Sequence, residues 1–294
     1  MVLLRKNLFI LFFLLALNFS YAQQHYEFFG GIMLNDSISI SYKLVFFENN
    51  GEIKGYSLTD LGGENETRSN IFGEYNKKSE ELNFREIGII YTKSPVSQQD
   101  FCFINATVKG FDLNKSKTIK TKFVGLFSDN TQCINGQIFM NSAEKVEKRL
   151  EKVTKQINKT NRISDSIKQK INPIKLMDSL NMNILKKNQT LSVFSKSKKV
   201  SISIYDGGKE DGDKITIYAN KKIVLSNYEA NKDKRIIYLN LIEDKTSIVI
   251  KAENEGNIAP NTVIVEIGDG KNNIKALSNL KRGETTQIDF LKSQ

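Results

Sequence analysis

The sequence predicts a mainly β protein in which two strand-rich blocks are separated by a basic helical segment. Three observations predict this class. Short apolar–polar alternations, broken by Gly, Asn and Asp, fill residues 26–141. The same pattern returns over residues 201–290. Between them, residues 143–200 carry 15 Lys or Arg against 5 Asp or Glu, whereas both flanking blocks are close to neutral.

Residues 1–22 have the pattern of a signal peptide. Arg5 and Lys6 give a positive start, and residues 8–17 form an unbroken apolar run. Residues 20–22, Ser-Tyr-Ala, supply a small-x-small cleavage site. The apolar run is about half of the roughly 20 residues that a membrane-spanning helix needs. Because frequent Lys, Asn and Ile are typical of AT-rich bacterial genomes, we expect an exported protein of the periplasm, the cell surface or the medium.

The predicted mature chain contains two cysteines, Cys102 and Cys133, both in the first block. In an oxidising compartment such a pair predicts a structural disulfide, here closing a loop of about 30 residues. The alternative is a free reactive thiol. That alternative has no nearby histidine and no C-x-x-C spacing to support it.

Residues 23–142 are predicted to form an antiparallel meander of about eight strands. The turn Asn49-Asn50-Gly51 is a strong hairpin signal. Short links between consecutive strands favour an up-and-down barrel or a sandwich. The predicted strands cover residues 26–34, 37–47, 53–61, 69–75, 82–92, 101–108, 118–127 and 133–140.

The many phenylalanines of this block give the predicted barrel an aromatic interior. Side chains can fill an eight-stranded barrel, or they can line one small apolar pocket. In general pattern the block resembles lipocalin-like and avidin-like barrels, and this resemblance implies a fold and no activity.

Residues 143–199 are predicted to be a basic helical linker. Asn141 or Ser142 is a suitable N-cap. The apolar positions follow spacings of 4, 3 and 4, as in the seam of a coiled coil; they are Val146, Leu150, Val153 and Ile157. Pro173 is expected to stop or kink the helix, and a second amphipathic run then leads to Ile184.

Three interpretations of this segment remain open. It is a spacer packed on a neighbouring domain, a coiled coil that makes a homodimer, or a helix that binds a polyanion. Nucleic acid is not an expected partner. The side chains available for a dimer or polyanion contact are Lys145, Lys148, Arg149, Lys152 and Lys155.

Residues 200–294 read as a β-sandwich of seven or eight short strands. Two polar stretches stand out, D-G-x-x-E-D-G-D at residues 206–213 and E-N-E-G…P-N-T at residues 253–262. Together they resemble a sandwich module of secreted bacterial proteins, a resemblance that implies no activity. The predicted strands cover residues 201–205, 214–219, 222–226, 236–241, 247–253, 262–267 and 286–290.

The first polar stretch is a candidate Ca²⁺ loop. Its hard oxygen ligands on a glycine-rich loop suit this ion; they are Asp206, Glu210, Asp211 and Asp213. The spacing does not match an EF-hand, and the alternative is ordinary turn chemistry without metal. No cofactor other than Ca²⁺ is expected.

Several enzyme classes lack their catalytic groups. His25 is the only histidine, so triads that use a histidine base and the usual zinc sites are excluded. The sequence has no phosphate-binding G-x-x-x-x-G-K-[ST] loop. A glycosidase needs only two carboxylates, and Glu74 and Glu86 are the best placed. The alternative is that both are outward-facing strand residues.

The sequence therefore predicts an exported, non-enzymatic binding or structural protein. We expect it to contact carbohydrate or protein at the bacterial cell envelope or surface. Two alternatives remain, an extracellular carboxylate-dependent hydrolase and a carrier of a small apolar ligand in the barrel.

Overall fold

The computed structural model describes residues 25–34, 38–160, 164, 168 and 182–293. The predicted signal peptide and Pro173 lie outside the described residues. The chain is mostly β, and the predicted class is confirmed: a barrel, then a helix, then a second β unit.

The first unit is a closed, eight-stranded antiparallel barrel. Each strand pairs with the next one along the chain, and β8 returns to pair with β1. Of the two predicted alternatives, barrel and sandwich, the barrel is therefore correct. The strands are β1 (His25–Leu34), β2 (Ile38–Asn49), β3 (Glu52–Thr59), β4 (Thr67–Asn76), β5 (Glu81–Thr92), β6 (Phe103–Lys109), β7 (Thr118–Leu126) and β8 (Gln132–Ser142).

Local sequence explains the turn between β2 and β3 and the apolar interior of this barrel. Asn50 and Gly51 have φ values of 51° and 89°, as the predicted two-residue hairpin between β2 and β3 requires. Along β2, Tyr42, Leu44 and Phe46 alternate inward and are almost fully buried. The other strands contribute the same alternation, so apolar side chains pack in the barrel interior.

The helix α1 (Ala143–Lys159) follows directly on β8. Its predicted cap is confirmed, because Ser142 Oγ accepts a hydrogen bond from the Lys145 backbone N–H at 3.4 Å. The predicted apolar stripe lies on this helix, yet α1 has no buried residue. Its described part ends at Thr160, whose extended backbone terminates the helix.

The structure differs from the predicted helical linker at residues 183–195. This stretch forms two strands, β9 (Asn183–Leu185) and β10 (Thr190–Ser195), and both belong to the second unit. Ile184, which the apolar spacing placed on a helix, lies in β9. Tertiary pairing decides here, since β9 and β10 are each held by a parallel partner strand far along the chain.

The second unit is a sandwich of two five-stranded layers. One layer has the order β13-β12-β15-β18-β10 and the other β14-β11-β16-β17-β9. Alternating Ile and Val side chains from both layers pack between them. The remaining strands are β11 (Lys199–Asp206), β12 (Lys214–Ala219), β13 (Lys222–Glu229), β14 (Arg235–Asn240), β15 (Lys245–Ala252), β16 (Val263–Gly268), β17 (Asn273–Ser278) and β18 (Thr285–Lys292).

The two units share one continuous sheet. The start of β5 pairs with β6 and belongs to the barrel, whereas Tyr91 and Thr92 at its end pair with β10 of the sandwich. Leu58, Ile90 and Tyr91 of the barrel also belong to the core of the sandwich. The barrel and the sandwich are therefore in direct contact, in addition to the covalent connection through α1.

Candidate functional site

A groove on the outer face of the barrel crosses β4, β5, β6 and β7. It has a volume of about 920 Å³. The exposed residues that line it alternate with inward-facing core residues of the same strands, so the groove lies on the outer face of the barrel wall. The core residues Phe84, Ala106 and Phe123 also contribute to its lining.

The charged side chains of this groove are mainly cationic. Arg85, Lys109, Lys120 and Lys122 line it and are exposed, and Glu74 is the one acidic side chain lining it. None of the four cations forms an ion pair with a carboxylate of the described residues. Four unneutralised positive charges in one concave surface give a positive local potential that attracts anions.

Two of these cations lie over aromatic rings. The Arg85 guanidinium is 5.8 Å from the centroid of the Phe72 ring, and Lys120 Nζ is 5.4 Å from that of Phe139. A ring face attracts a cation without neutralising its charge. The rings therefore help to place the two cations and leave them available to an anionic ligand.

The carboxyl group of Glu86 is buried in the barrel interior. Its Oε1 accepts hydrogen bonds from Tyr42 Oη at 3.0 Å and from Ser57 Oγ at 2.5 Å. Its Oε2 accepts one from the Ile104 backbone N–H at 2.9 Å. Burial raises the pKa of the Glu86 carboxyl, and these three donors partly oppose that effect.

The two carboxylates considered for hydrolysis lie on opposite sides of the barrel wall. Glu74 is exposed in the outer groove, whereas Glu86 is buried among the core side chains. A glycosidase needs both groups on either side of one sugar bond. Glu74 and Glu86 do not form such a pair.

The two polar stretches of the sandwich lie against each other, although more than 40 residues separate them. Asp211 Oδ2 accepts from the Ile258 backbone N–H at 3.0 Å, and Asp213 Oδ2 from that of Thr262 at 2.7 Å. Asp206, which ends β11, is buried in the same region. These loops thus bring three aspartates of the predicted Ca²⁺ set into one cluster, which we call the aspartate cluster.

Glu210, the fourth residue of the predicted set, makes a different contact. It is exposed, and its Oε1 accepts a hydrogen bond from the Lys232 backbone N–H at 2.6 Å. Across the part of the chain that the structure describes, no three His, Cys, Asp or Glu side chains form a complete metal-binding group. Any cation at this place therefore needs oxygens other than carboxylates.

Burial perturbs the protonation of Asp213, one member of the aspartate cluster. It raises the pKa of the Asp213 carboxyl to about 6, and the negative charges of Asp211 and Asp206 act in the same direction. The hydrogen bond from Thr262 opposes them. The cluster is thus a place where negative charge is costly.

The basic side chains of α1 are exposed, but two of them already have partners. Lys145 Nζ donates to Thr118 Oγ1 at 2.8 Å, and Lys148 Nζ lies 2.7 Å from Glu144 Oε1. Lys152 and Lys155 line one shallow surface together with Lys148. Arg149 is exposed. The dimer and polyanion interpretations of these residues stay predictions.

The predicted disulfide is present between Cys102 and Cys133, with a Cα–Cα distance of 6.0 Å. It ties the segment before β6 to β8, across the intervening strand β7. Of the four strands under the groove, β6 is therefore linked covalently to β8, with β7 lying between them.

Comparison of the chain with protein-family models, with curated protein sequences and with solved structures gives no match. In the described part of the chain, no helix has the length and apolarity needed to span a bilayer. The fold and the site define the chain as an antiparallel barrel joined to a β-sandwich.

Sequence reasoning missed the outer groove. Lys120 and Lys122 stand two apart on one strand, and Lys109 ends the preceding strand, so the alternation alone places all three outward. Their common location follows once β6 and β7 are known to be adjacent. That meander order was itself predicted, so the signal was present.

Proposed function

We propose that this chain is an exported, non-enzymatic binding protein that contacts an acidic polysaccharide at the bacterial surface through the outer groove of its barrel. The observation that carries this proposal is the set of four exposed, unneutralised cations in one groove. Carboxylate or sulfate groups repeated along a sugar chain complement such a row of charges.

The size of the groove supports a chain-like ligand. A volume of about 920 Å³ lies at the upper end of the usual range for ligand pockets, and the groove is open rather than enclosed. An extended polymer enters an open groove from either end. Arg85 is suited to planar carboxylates, and the three lysines act as point charges.

The barrel interior argues against the carrier alternative. Its inward-facing side chains form one packed core, and the carboxyl group of Glu86 within that core has hydrogen-bond donors on both oxygens. A filled barrel leaves its outer surface as the place for recognition. The separation of Glu74 from Glu86 argues in the same way against the paired-carboxylate hydrolase.

The test is binding of the mature chain to heparin and to polygalacturonate, with neutral dextran as the reference, followed by biolayer interferometry. We expect binding to both acidic polymers and none to dextran. Raising the NaCl concentration from about 50 mM to about 500 mM should strongly weaken binding to the two acidic polymers, because salt screens exposed charges. The double variant K120E/K122E should bind at least about tenfold more weakly, a change of about 1.4 kcal/mol.

The matched control is K152E/K155E on α1, which changes the net charge by the same amount and lies outside the groove. It should bind as the unmodified chain does. Equal loss in the two variants would contradict the groove as the site, and loss in the control alone would assign binding to α1. Absence of binding to either acidic polymer would refute the proposed function.

A further inference from the structure

The aspartate cluster contains carboxylate oxygens that the protein itself leaves without partners. Each backbone donor from residues 258–262 engages only the Oδ2 atom of Asp211 or Asp213. Asp211 Oδ1, Asp213 Oδ1 and Asp206 Oδ2 have no hydrogen-bond partner among the described residues. The three side chains are 8%, 0% and 4% exposed. Buried carboxylate oxygens in this state are costly unless a proton or a cation neutralises them.

Two of these oxygens point to the same place beside Gly256. A Cβ atom built on Gly256 would lie 2.6 Å from Asp211 Oδ1 and 2.9 Å from Asp213 Oδ1. Gly256 has a φ of +59°, so this position also favours glycine on backbone grounds. The loop therefore keeps the space between two carboxylate oxygens clear of side-chain atoms.

A neutral oxygen of the same loops is also without a partner. The Asn261 side chain is fully buried, and its Nδ2 donates to Lys214 O at 3.1 Å and to Asn254 O at 3.2 Å. These bonds fix the amide between the segment after Asp213 and the segment before Gly256. Its Oδ1 has no partner among the described residues. A buried amide oxygen without a partner is an independent sign that these loops bind a species that oxygen atoms coordinate, such as a cation.

We propose that the two loops bind one Ca²⁺ ion between Asp211 Oδ1 and Asp213 Oδ1, beside Gly256. Asn261 Oδ1 is the uncharged oxygen available to join them, and Asp206 adds negative charge to the surroundings. Ca²⁺ takes six to eight oxygen ligands in flexible geometry, including carbonyl oxygens and water, so two carboxylates are enough to begin the site. Mg²⁺ demands a tighter octahedral geometry and gives up its water reluctantly.

Such an ion would clamp the β11–β12 loop to the β15–β16 loop. These loops are joined already by the bonds from Ile258 and Thr262, and Asn254 adds a bond from the Lys214 backbone N–H at 2.6 Å. The ion neutralises the charge that this packing concentrates. The proposal concerns the sandwich alone and is independent of the barrel groove.

The test is calorimetric titration of CaCl₂ into the mature chain after removal of metal with EDTA. We expect one site, with a dissociation constant of about 10⁻⁴–10⁻³ M, the range of extracellular calcium modules. A thermal melt with CaCl₂ should give a higher Tm than one with MgCl₂ at the same ionic strength. D211N and D213N should abolish both effects.

The matched control is E210Q, which removes the same charge from the same loop and should bind Ca²⁺ as the unmodified chain does. An asparagine can still accept the backbone bonds from Ile258 or Thr262. D211N and D213N should therefore melt in EDTA no lower than the unmodified chain. If either variant melts lower, the other still decides the outcome.

Three results would overturn the site. They are the absence of Ca²⁺ binding by the unmodified chain, an equal rise in Tm with MgCl₂, and loss of binding in E210Q to the same degree as in D211N. Retained Ca²⁺ binding in both D211N and D213N would also overturn the site.

Discussion

Replacing Tyr42 by phenylalanine tests whether the barrel is filled as described. Tyr42 is fully buried, and its hydroxyl donates to Glu86 Oε1 at 3.0 Å. The substitution removes one oxygen atom and keeps the ring. Its effect on stability therefore reports the hydrogen bond to a buried carboxyl group rather than a change in packing.

The expected loss follows from the nature of this bond. Hydrogen bonds to charged groups contribute about 1.5–3 kcal/mol. In the variant, Glu86 Oε1 still accepts the hydrogen bond from the Ser57 hydroxyl, so this oxygen loses one of its two hydrogen bonds and keeps the other. We expect Tyr42→Phe to lower the free energy of unfolding by about 1.5–3 kcal/mol near pH 8.

The pH dependence of this loss has a defined sign. Burial raises the pKa of Glu86 in the folded protein, so its contribution to stability is greatest at low pH and is lost as pH rises through the folded pKa. The Tyr42 hydrogen bond lowers this pKa, and the variant raises it further. The cost of Tyr42→Phe should thus be larger where the carboxylate is ionised, and smaller near pH 4 where Glu86 is protonated.

The assay is urea denaturation followed by far-ultraviolet circular dichroism at both pH values. Tyr238→Phe is the control, since this ring is 63% exposed and should change stability by less than about 0.5 kcal/mol. A loss below about 0.5 kcal/mol for Tyr42→Phe at both pH values would contradict the reasoning. Glu86 would then be hydrated, and the carrier interpretation of the barrel would return.

Three further predictions concern the disulfide, the junction between the barrel and the sandwich, and the helix α1. Replacing Cys102 and Cys133 by alanine should lower the free energy of unfolding by about 2–5 kcal/mol, measured by urea denaturation; an equal stability would contradict a native disulfide. The Lys93 side chain is 1% exposed, and its Nζ donates to Ile184 O at 3.0 Å and lies 3.9 Å from Glu66 Oε2. Lys93→Met should cost about 3–5 kcal/mol and separate the melting of barrel and sandwich in calorimetry, whereas one unchanged transition would refute this link. Val153→Glu should change stability by less than about 0.5 kcal/mol, because Val153 is exposed on α1; a larger loss in the same urea assay would show that the stripe is covered.

The barrel was predictable because its signals are local. Alternation along β2 and the Asn49-Asn50-Gly51 turn define a register that the structure follows residue by residue, with Asn49 opposite Glu52. The bond between Cys102 and Cys133 was predicted from the oxidising compartment and from the presence of just two cysteines in the predicted mature chain. Eight strands in sequence order leave few other topologies.

Three strands were missed: β17, which pairs with its neighbour β16, and β9 and β10, which depend on distant partners. β9 is three residues long, and β10 pairs in parallel with β18 almost a hundred residues later. A turn at residues 187–188 separates the two strands, with Asn188 at a φ of 58°, but the apolar spacing before Ile184 equally suits a helix. The junction between β5 and β10 was invisible for the same reason, since Tyr91 and Thr92 have the pattern of any barrel strand.

The aspartate cluster was predictable in part. The composition of residues 206–213 predicts oxygen ligands, and the structure brings Asp206, Asp211 and Asp213 together. Spacing alone could not separate Glu210 from them, because the direction of each side chain depends on the second loop. Asn261 lies in the P-N-T stretch that stood out in the sequence, but it was not among the predicted ligands, since nothing in that stretch shows that its side chain is buried.

The measurement that tests the central claim most directly is a crystal structure of the mature chain with a short heparin oligosaccharide. The account predicts the sugar in the outer groove, with its acidic groups at Arg85, Lys120 and Lys122. An oligosaccharide bound along α1, on the sandwich or inside the barrel would contradict it.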